Sequence, residues 1–371
     1  MPPEPVSLAA YRNRSGSLAE LEPAGSSRKG QTVLALVAAM EAAGIRYVVM
    51  RNHEAYPAFG HDADFAIHPD DIPAWQTLLV RIAQDAGWDA LTRCHHWDSE
   101  FAHQSPKSFL LYAKEPELDF LCVDLFHGAT LWGQPLYSIE DVLGDSIHDP
   151  RGFDRMSEAR ETLLRILQVD ALIGRKREAT KVEGYIGRIR AWWPACGDAT
   201  LALGSKLLGP TLRPAVNALF EDDPARFKKL MRIARLWFLA KAALRNPYRA
   251  FRQATARSRG RLREVGGDQC GFVIAVPDAT PEQRASMEMG LDAVTATNAI
   301  REWTDASGEE AGVTSRERAV MEQGSVAIKW LRSEAAFGTL TGGDLSSAVA
   351  AADSVFDLLI ARHEVLWRKK P

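Results

Sequence analysis

Residues 61–68 read HDADFAIH. Acidic and apolar residues alternate here, as in a strand with one buried face. Successive strand side chains point to opposite sides, so Asp62 and Asp64 project together while Ala63 and Phe65 turn toward a core. Two carboxylates on one face repel each other. Divalent cations relieve that repulsion, and Mg²⁺ typically takes one or two carboxylates together with substrate phosphate oxygens. The other reading of the same residues is a turn at Asp62 and a solvated strand position at Asp64, and D-x-D spacing alone does not separate the two.

Upstream, Val33, Leu34, Leu36, Val37 and Met40 recur at helical spacing over residues 32–43, and Gly44 stands at the natural stop. Residues 47–50, YVVM, are β-formers, followed by Arg51-Asn52 and a loop carrying Pro57 and Gly60. Downstream, residues 73–87 have the pattern of an amphipathic helix closed by glycine. Residues 118–126 then form a long apolar run interrupted by Asp119 and Asp124, as in a central strand buried on both faces. A charge inside such a strand is costly unless a metal or a hydrogen-bond donor satisfies it, which makes Asp124 the candidate third carboxylate. Asp119 lies five positions earlier, faces the other side, and is left out of the site. The alternation of strands and helices with short links predicts α/β architecture.

Beyond this region a helix is expected over 157–169, followed by the basic segment GRKRE at 174–178. Arg175, Lys176 and Arg177 could reach a triphosphate or form a solvated helix end. The chain then reads as mostly helical to Phe251. No Asp or Glu occurs from Arg226 to Arg263, while Lys and Arg recur beside Leu230, Ile233, Leu236, Trp237 and Leu239. Such a basic amphipathic stretch suits anionic lipid, nucleic acid, or a helix whose apolar stripe packs on a core with its cations in solvent. Residues 271–276 and 325–331 read as strands, and 281–303 and 345–367 as helices. The expected organisation is a disordered tail at 1–30, an α/β (α+β) domain with a mixed sheet at 31–185, a helical basic segment at 186–265 and a small α/β unit at 266–371.

At 371 residues the chain is long enough for two or more cores, and 46% hydrophobic with 25% charged residues is the composition of a folded protein. A net charge of −3 names no partner by itself. Cys94, Cys122, Cys196 and Cys270 are scattered without a CxxC pair, which disfavours a zinc site or a disulfide framework and fits a cytoplasmic protein with reduced thiols. The Pro/Ser/Gly-rich start lacks the apolar segment of a signal peptide, and no apolar run reaches the roughly 18 residues of a membrane span. A peripheral position on the inner face of the membrane stays open.

The order YVVMRNHEAYP (47–57), DADFAIHPDD (62–71) and LCVDLFHG (121–128) resembles bacterial nucleotidyltransferases of the polymerase-β-like superfamily, of the type found beside polysaccharide-biosynthesis functions. The resemblance covers residues 32–185. It implies the nucleotidyltransferase fold and a site of two Mg²⁺ ions on Asp62, Asp64 and Asp124. The implied reaction moves a nucleoside monophosphate from an NTP to the hydroxyl of a small acceptor, a sugar or sugar phosphate. Most of the superfamily ends its first strand in Gly-Gly or Gly-Ser, where this sequence has Arg51-Asn52. Arg51 could hold phosphate directly, with Asn52 and Lys176 as further nucleotide ligands, or it could pair with Asp62 or Asp64. Two alternatives remain. One is a catalytically inactive protein of this fold that serves polysaccharide assembly or export, and the other is a nucleotidyltransferase acting on RNA or protein. CGFVIAVPDATPEQRA (270–285) resembles the start of a thymidylate-kinase-like domain, but it lacks the glycines and Lys of a phosphate loop, which implies a degenerate relative.

Overall fold

The computed structural model describes residues 27–51, 53, 56–57, 62–95, 107–114, 119–131, 134–174, 179–248, 250–251, 272–294, 300–303, 326–329, 338–362 and 364–369. The expected tail up to residue 26, together with Asn52, His61 and Arg175, Lys176 and Arg177, lies outside them.

Helix α1 spans Arg28–Ala43 and starts one turn before the expected residue 32, because Ser27 caps it by accepting from the Gly30 amide at 3.1 Å. It stops where Gly44 takes a left-handed φ of 65° and returns its amide to the carbonyls of Met40 and Glu41. Strand β1 is Tyr47–Val49 and β2 is Asp62–Ile67. A short 3-10 turn leads into α2, Ile72–Asp85, and the chain continues as β3, Ala90–His95, β4, Lys107–Ala113, and β5, Asp119–Phe126. There follow β6, Ala129–Leu131, β7, Gln134–Tyr137, α3, Ile139–Gly144, β8, Ile147–Asp149, and β9, Phe153–Arg155. Four helices come next: α4, Glu158–Leu172, α5, Ala179–Leu208, α6, Leu212–Phe220, and α7, Pro224–Arg245. The last elements are β10, Phe272–Ala275, α8, Pro281–Val294, β11, Ile300–Trp303, β12, Val326–Lys329, β13, Gly338–Thr339, α9, Ala348–Arg362, and β14, Glu364–Arg368.

By compactness the chain divides into two units. One holds residues 1–127, 150–153 and 256–371, and the other residues 128–149 and 154–255. The strands expected in a small unit after residue 266 therefore lie in the same compact unit as the first helices and strands.

In the first unit, strands run in the order β14-β3-β4-β5-β2-β1 within one mixed sheet. β1 is antiparallel to β2, β2 is parallel to β5, and β5-β4-β3-β14 continue antiparallel. This is the expected mixed α/β class. One face of the sheet is largely apolar. Ala63, Phe65 and Ile67 of β2, Phe109, Leu111 and Ala113 of β4, and Leu121, Val123 and Leu125 of β5 are buried there against Leu36 and Met40 of α1 and Trp75 and Leu79 of α2. A polar link in this layer is the indole of Trp88, which donates to Thr32 Oγ1 at 2.8 Å and so satisfies its N–H.

The opposite face carries Ser108, Leu110 and Tyr112 of β4 and Phe120, Cys122 and Asp124 of β5. Part of it is covered by a second core, in which Ala90 and Tyr112 pack with Ile274, Met287, Leu345, Val355 and Phe356. Tyr112 stacks on Phe356 with ring centroids 4.0 Å apart, and its hydroxyl donates to Asp353 at 2.7 Å. Burial and then the Asp353 hydrogen bond push the Tyr112 phenol well above its ordinary value, so it remains a donor. Tyr112→Phe is expected to cost about 1 kcal/mol, read as a lower denaturant midpoint at unchanged slope, because one buried hydrogen bond goes while the stacked ring remains.

Behind this contact β11-β12-β10-β13 form a parallel sheet. Two expected helices end early. Residues 281–303 divide into α8 and the strand β11, and residues 345–367 into α9 and β14. In each case the closing segment, IREW or EVLWR, finds a strand partner, which outweighs its modest helical pattern. At the start of α8 Thr280 Oγ1 accepts from the Gln283 amide at 3.3 Å and Gln283 Oε1 accepts from the Thr280 amide at 2.9 Å. The helix therefore caps itself with its own side chains at the point where a phosphate loop would hold an anion.

The second unit is mostly helical. α4 and α5 pack together, with Leu163 and Ile166 of the first and Ile189 and Cys196 of the second buried, and Arg165 of a buried Arg165–Glu161 pair lies over the rings of Tyr185 and Trp192.

Candidate active site

Register brings the candidate residues together. β2 and β5 are parallel neighbours with Asp64 opposite Asp124 and Asp62 opposite Cys122. β4 lies on the other side of β5 with Ser108 opposite Asp124. Asp64, Asp124 and Ser108 thus form a row across three adjacent strands, on the face away from the α1–α2 core. Strands sit about 4.8 Å apart, so two residues in register on one face have their carboxylates within reach of a shared ligand. Asp62 is two residues before Asp64 and shares its face by strand periodicity, with a Cα about 7–8 Å diagonally from that of Asp124. The placement of the Asp62 side chain lies outside the description.

Arg51 lies just past β1, next to Met50, whose amide donates to the Asp64 carbonyl at 2.9 Å. Its Nε donates to Asp64 Oδ2 at 2.8 Å and its Nη2 to Asp64 Oδ1 at 2.7 Å. This is a two-pronged guanidinium–carboxylate pair on a carboxylate that is only 2% exposed, beneath an arginine 30% exposed. The guanidinium also lies over the Phe126 ring, 5.8 Å from its centroid. Of the two roles open to Arg51 in the sequence, pairing with an aspartate is the one present, and the partner is Asp64.

Asp124 has a different environment. Ser108 donates to its Oδ1 at 2.5 Å and the Cys122 thiol lies 3.3 Å from the same atom. Burial, and then the Asp64 charge beside it, raise the Asp124 carboxyl above the ordinary carboxylate range, against the lowering effect of Ser108, Cys122 and Arg51. The two aspartates are therefore unequal, with Asp64 neutralised by a guanidinium and Asp124 held mainly by neutral donors.

The surrounding residues are structural. His127 Nδ1 lies 3.3 Å from the Ile67 carbonyl and joins the end of β5 to that of β2. The His53 carbonyl accepts from Arg151 Nη2 at 2.9 Å, and Arg151 lies over the rings of Tyr56 and Phe153, which anchors the backbone just past Arg51. Asp119 does face away, pairing with Lys29 of α1 at 2.8 Å. Ser108 was not among the expected residues. Its only trace in the sequence is a lone hydroxyl in the apolar run KSFLLYA, and its role depends on which strand pairs with β4.

Among the described residues no group of three or more His, Cys, Asp or Glu is arranged to hold a metal ion. The donor set is nonetheless of the right kind: two in-register carboxylates, oxygen-only and close enough to repel, form a hard site of the type that Mg²⁺ or Mn²⁺ takes. Arg51 already supplies a positive charge to Asp64, so a cation on both aspartates requires the guanidinium to turn away. Compared with known families, characterised proteins and solved structures, the chain finds no match.

Proposed function

We propose that this chain is a Mg²⁺-dependent nucleotidyltransferase that moves a nucleoside monophosphate from an NTP to the hydroxyl of a small acceptor of the sugar or sugar phosphate class. The supporting observation is the placement of Asp64 opposite Asp124 on adjacent parallel strands, with Asp62 two residues away on the same face. Asp62, Asp64 and Asp124 would hold two ions, which supply the positive charge that in-line displacement at the α-phosphorus requires.

The chain's own groups divide the remaining work. Arg51 exchanges Asp64 for the triphosphate, since one fork geometry suits carboxylate and phosphate alike. Asp124 and Ser108 orient the acceptor hydroxyl. Its oxygen bonds to the α-phosphorus, the bond from that phosphorus to the bridging oxygen breaks, and pyrophosphate leaves with the electron pair while the hydroxyl proton passes to the carboxylate side. A cytoplasmic location goes with this reading, because NTP is its substrate. No helix among the described residues is long and apolar enough to cross a membrane.

Calorimetric titration of each of the four NTPs with Mg²⁺ into the wild type and into Asp62→Asn/Asp64→Asn tests the proposal. The expected result is metal-dependent binding of one or more NTPs that is lost in the variant. The Arg51–Asp64 pair favours a second reading, a silent site in an assembly protein for surface polysaccharide, because a resident guanidinium already neutralises a metal-binding carboxylate. Absence of binding by every NTP would sink the enzyme and leave that second reading.

A further inference from the structure

We propose that the outward face of α7 docks the protein on an anionic lipid bilayer. The helix carries two apolar stripes. Phe227, Met231, Ala234 and Phe238 recur every three or four residues and are buried in their own unit. A second set, Ile233, Leu236, Trp237 and Leu244, has the same spacing about a third of a turn further round. It faces water at 44%, 68%, 51% and 86% exposure. A surface helix normally turns its polar side outward, so a second apolar stripe in solvent calls for another apolar phase. Just past the helix end Tyr248 and Phe251 are also exposed, at 70% and 68%.

The charge around this stripe selects the occupant. Lys229, Arg232 and Arg245 of α7 are exposed, and no acidic residue occurs from Arg226 to Arg263. A second copy of the chain would bring these cations against their own kind. A nucleic acid would satisfy the cations and could stack on Trp237, but it gives Leu236 and Leu244 nothing apolar to enter. An anionic bilayer satisfies both, with headgroup phosphates for Lys and Arg, acyl chains for Leu and Ile, and the boundary between them for Trp and Tyr. Since no described helix can span a membrane, α7 lies in the plane of the interface.

Flotation of the full chain with vesicles of phosphatidylcholine alone, or with about one third phosphatidylglycerol, tests the assignment. Retention is expected on the anionic vesicles only, and it should fall several-fold as salt rises. Leu236→Glu/Leu244→Glu is expected to lower retention about tenfold with an unchanged melting curve, since charges replace the groups that enter the acyl region. Lys229→Glu/Arg232→Glu, which alters only exposed side chains, should lower it as well. The charge-matched Arg81→Glu/Arg213→Glu should not. Several results would overturn the proposal: no flotation with either vesicle, equal retention on neutral vesicles, or retention indifferent to the α7 changes. Salt-sensitive RNA binding or self-association without flotation would overturn it equally.

Discussion

Arg51→Ala is expected to destabilise the metal-free protein by about 3 kcal/mol, because truncating one partner of a buried ion pair leaves the other charge desolvated and uncompensated. Asp64 is only 2% exposed and both of its oxygens are held by this one guanidinium. The figure stands at the low end for buried pairs because the Arg51 side chain is 30% exposed. Asp64→Asn removes the stranded charge itself, so Arg51→Ala/Asp64→Asn should be more stable than Arg51→Ala alone. A double-mutant cycle from urea unfolding should return a coupling of about 1–3 kcal/mol. Mg²⁺ distinguishes a structural pair from a site. If the cation takes the position the guanidinium vacates, Arg51→Ala should regain stability as Mg²⁺ is added, and more steeply than the wild type does, since the wild type must first displace its arginine. A variant whose melting temperature ignores Mg²⁺ would mean that Arg51 and Asp64 are only a structural pair.

For Asp124→Asn the expected change has the opposite sign, a stabilisation of about 1–2 kcal/mol at neutral pH in metal-free buffer, within the range of removing one unfavourable charge. The Asp124 carboxyl is raised by burial and then by Asp64, so it binds its proton more tightly in the folded chain than in the unfolded one. Such a group costs nothing below its unfolded-state pKa. Its cost grows as pH rises toward the folded-state value and is constant above that. The stability difference between Asp124→Asn and the wild type should therefore vanish in acid, open as pH rises past the ordinary carboxylate range, and level off. Asn keeps an oxygen to accept from Ser108, so the hydrogen bond is retained while the charge is lost. On the proposed function, the same substitution should abolish Mg²⁺-dependent nucleotidyl transfer. Gain in stability with loss of turnover marks a group kept for chemistry. A stability difference that does not change with pH would show that Asp124 is not the strained member of the pair.

Local signals carried much of the architecture. The helical spacing from Val33 to Met40 with Gly44 behind it, the alternation of DADFAI, and the apolar run ending at Phe126 each have a period that the backbone must obey, and α1, β2 and β5 form close to where those periods place them. The opposite facings of Asp119 and Asp124 follow from the same two-residue period and are borne out by Lys29 on one side and Ser108 on the other. β3 and β4 are not legible locally, because ALTRCH and KSFLLYA, each taken alone, do not separate strand from other conformations. IREW and EVLWR read as continuations of the preceding helices for the same reason, as their strand character comes from a partner distant in sequence.

The candidate site divides along the same line. That Asp62 and Asp64 share a face is a property of six consecutive residues and needs nothing beyond the pleat of a strand. That Asp64 stands opposite Asp124 and that Ser108 rather than another hydroxyl reaches Asp124 were decided by register between β2, β5 and β4. A slip of one residue would turn every one of those side chains to the other face, and register is chosen by burying Phe65, Phe109 and Val123 together, a cooperative choice that no local stretch contains.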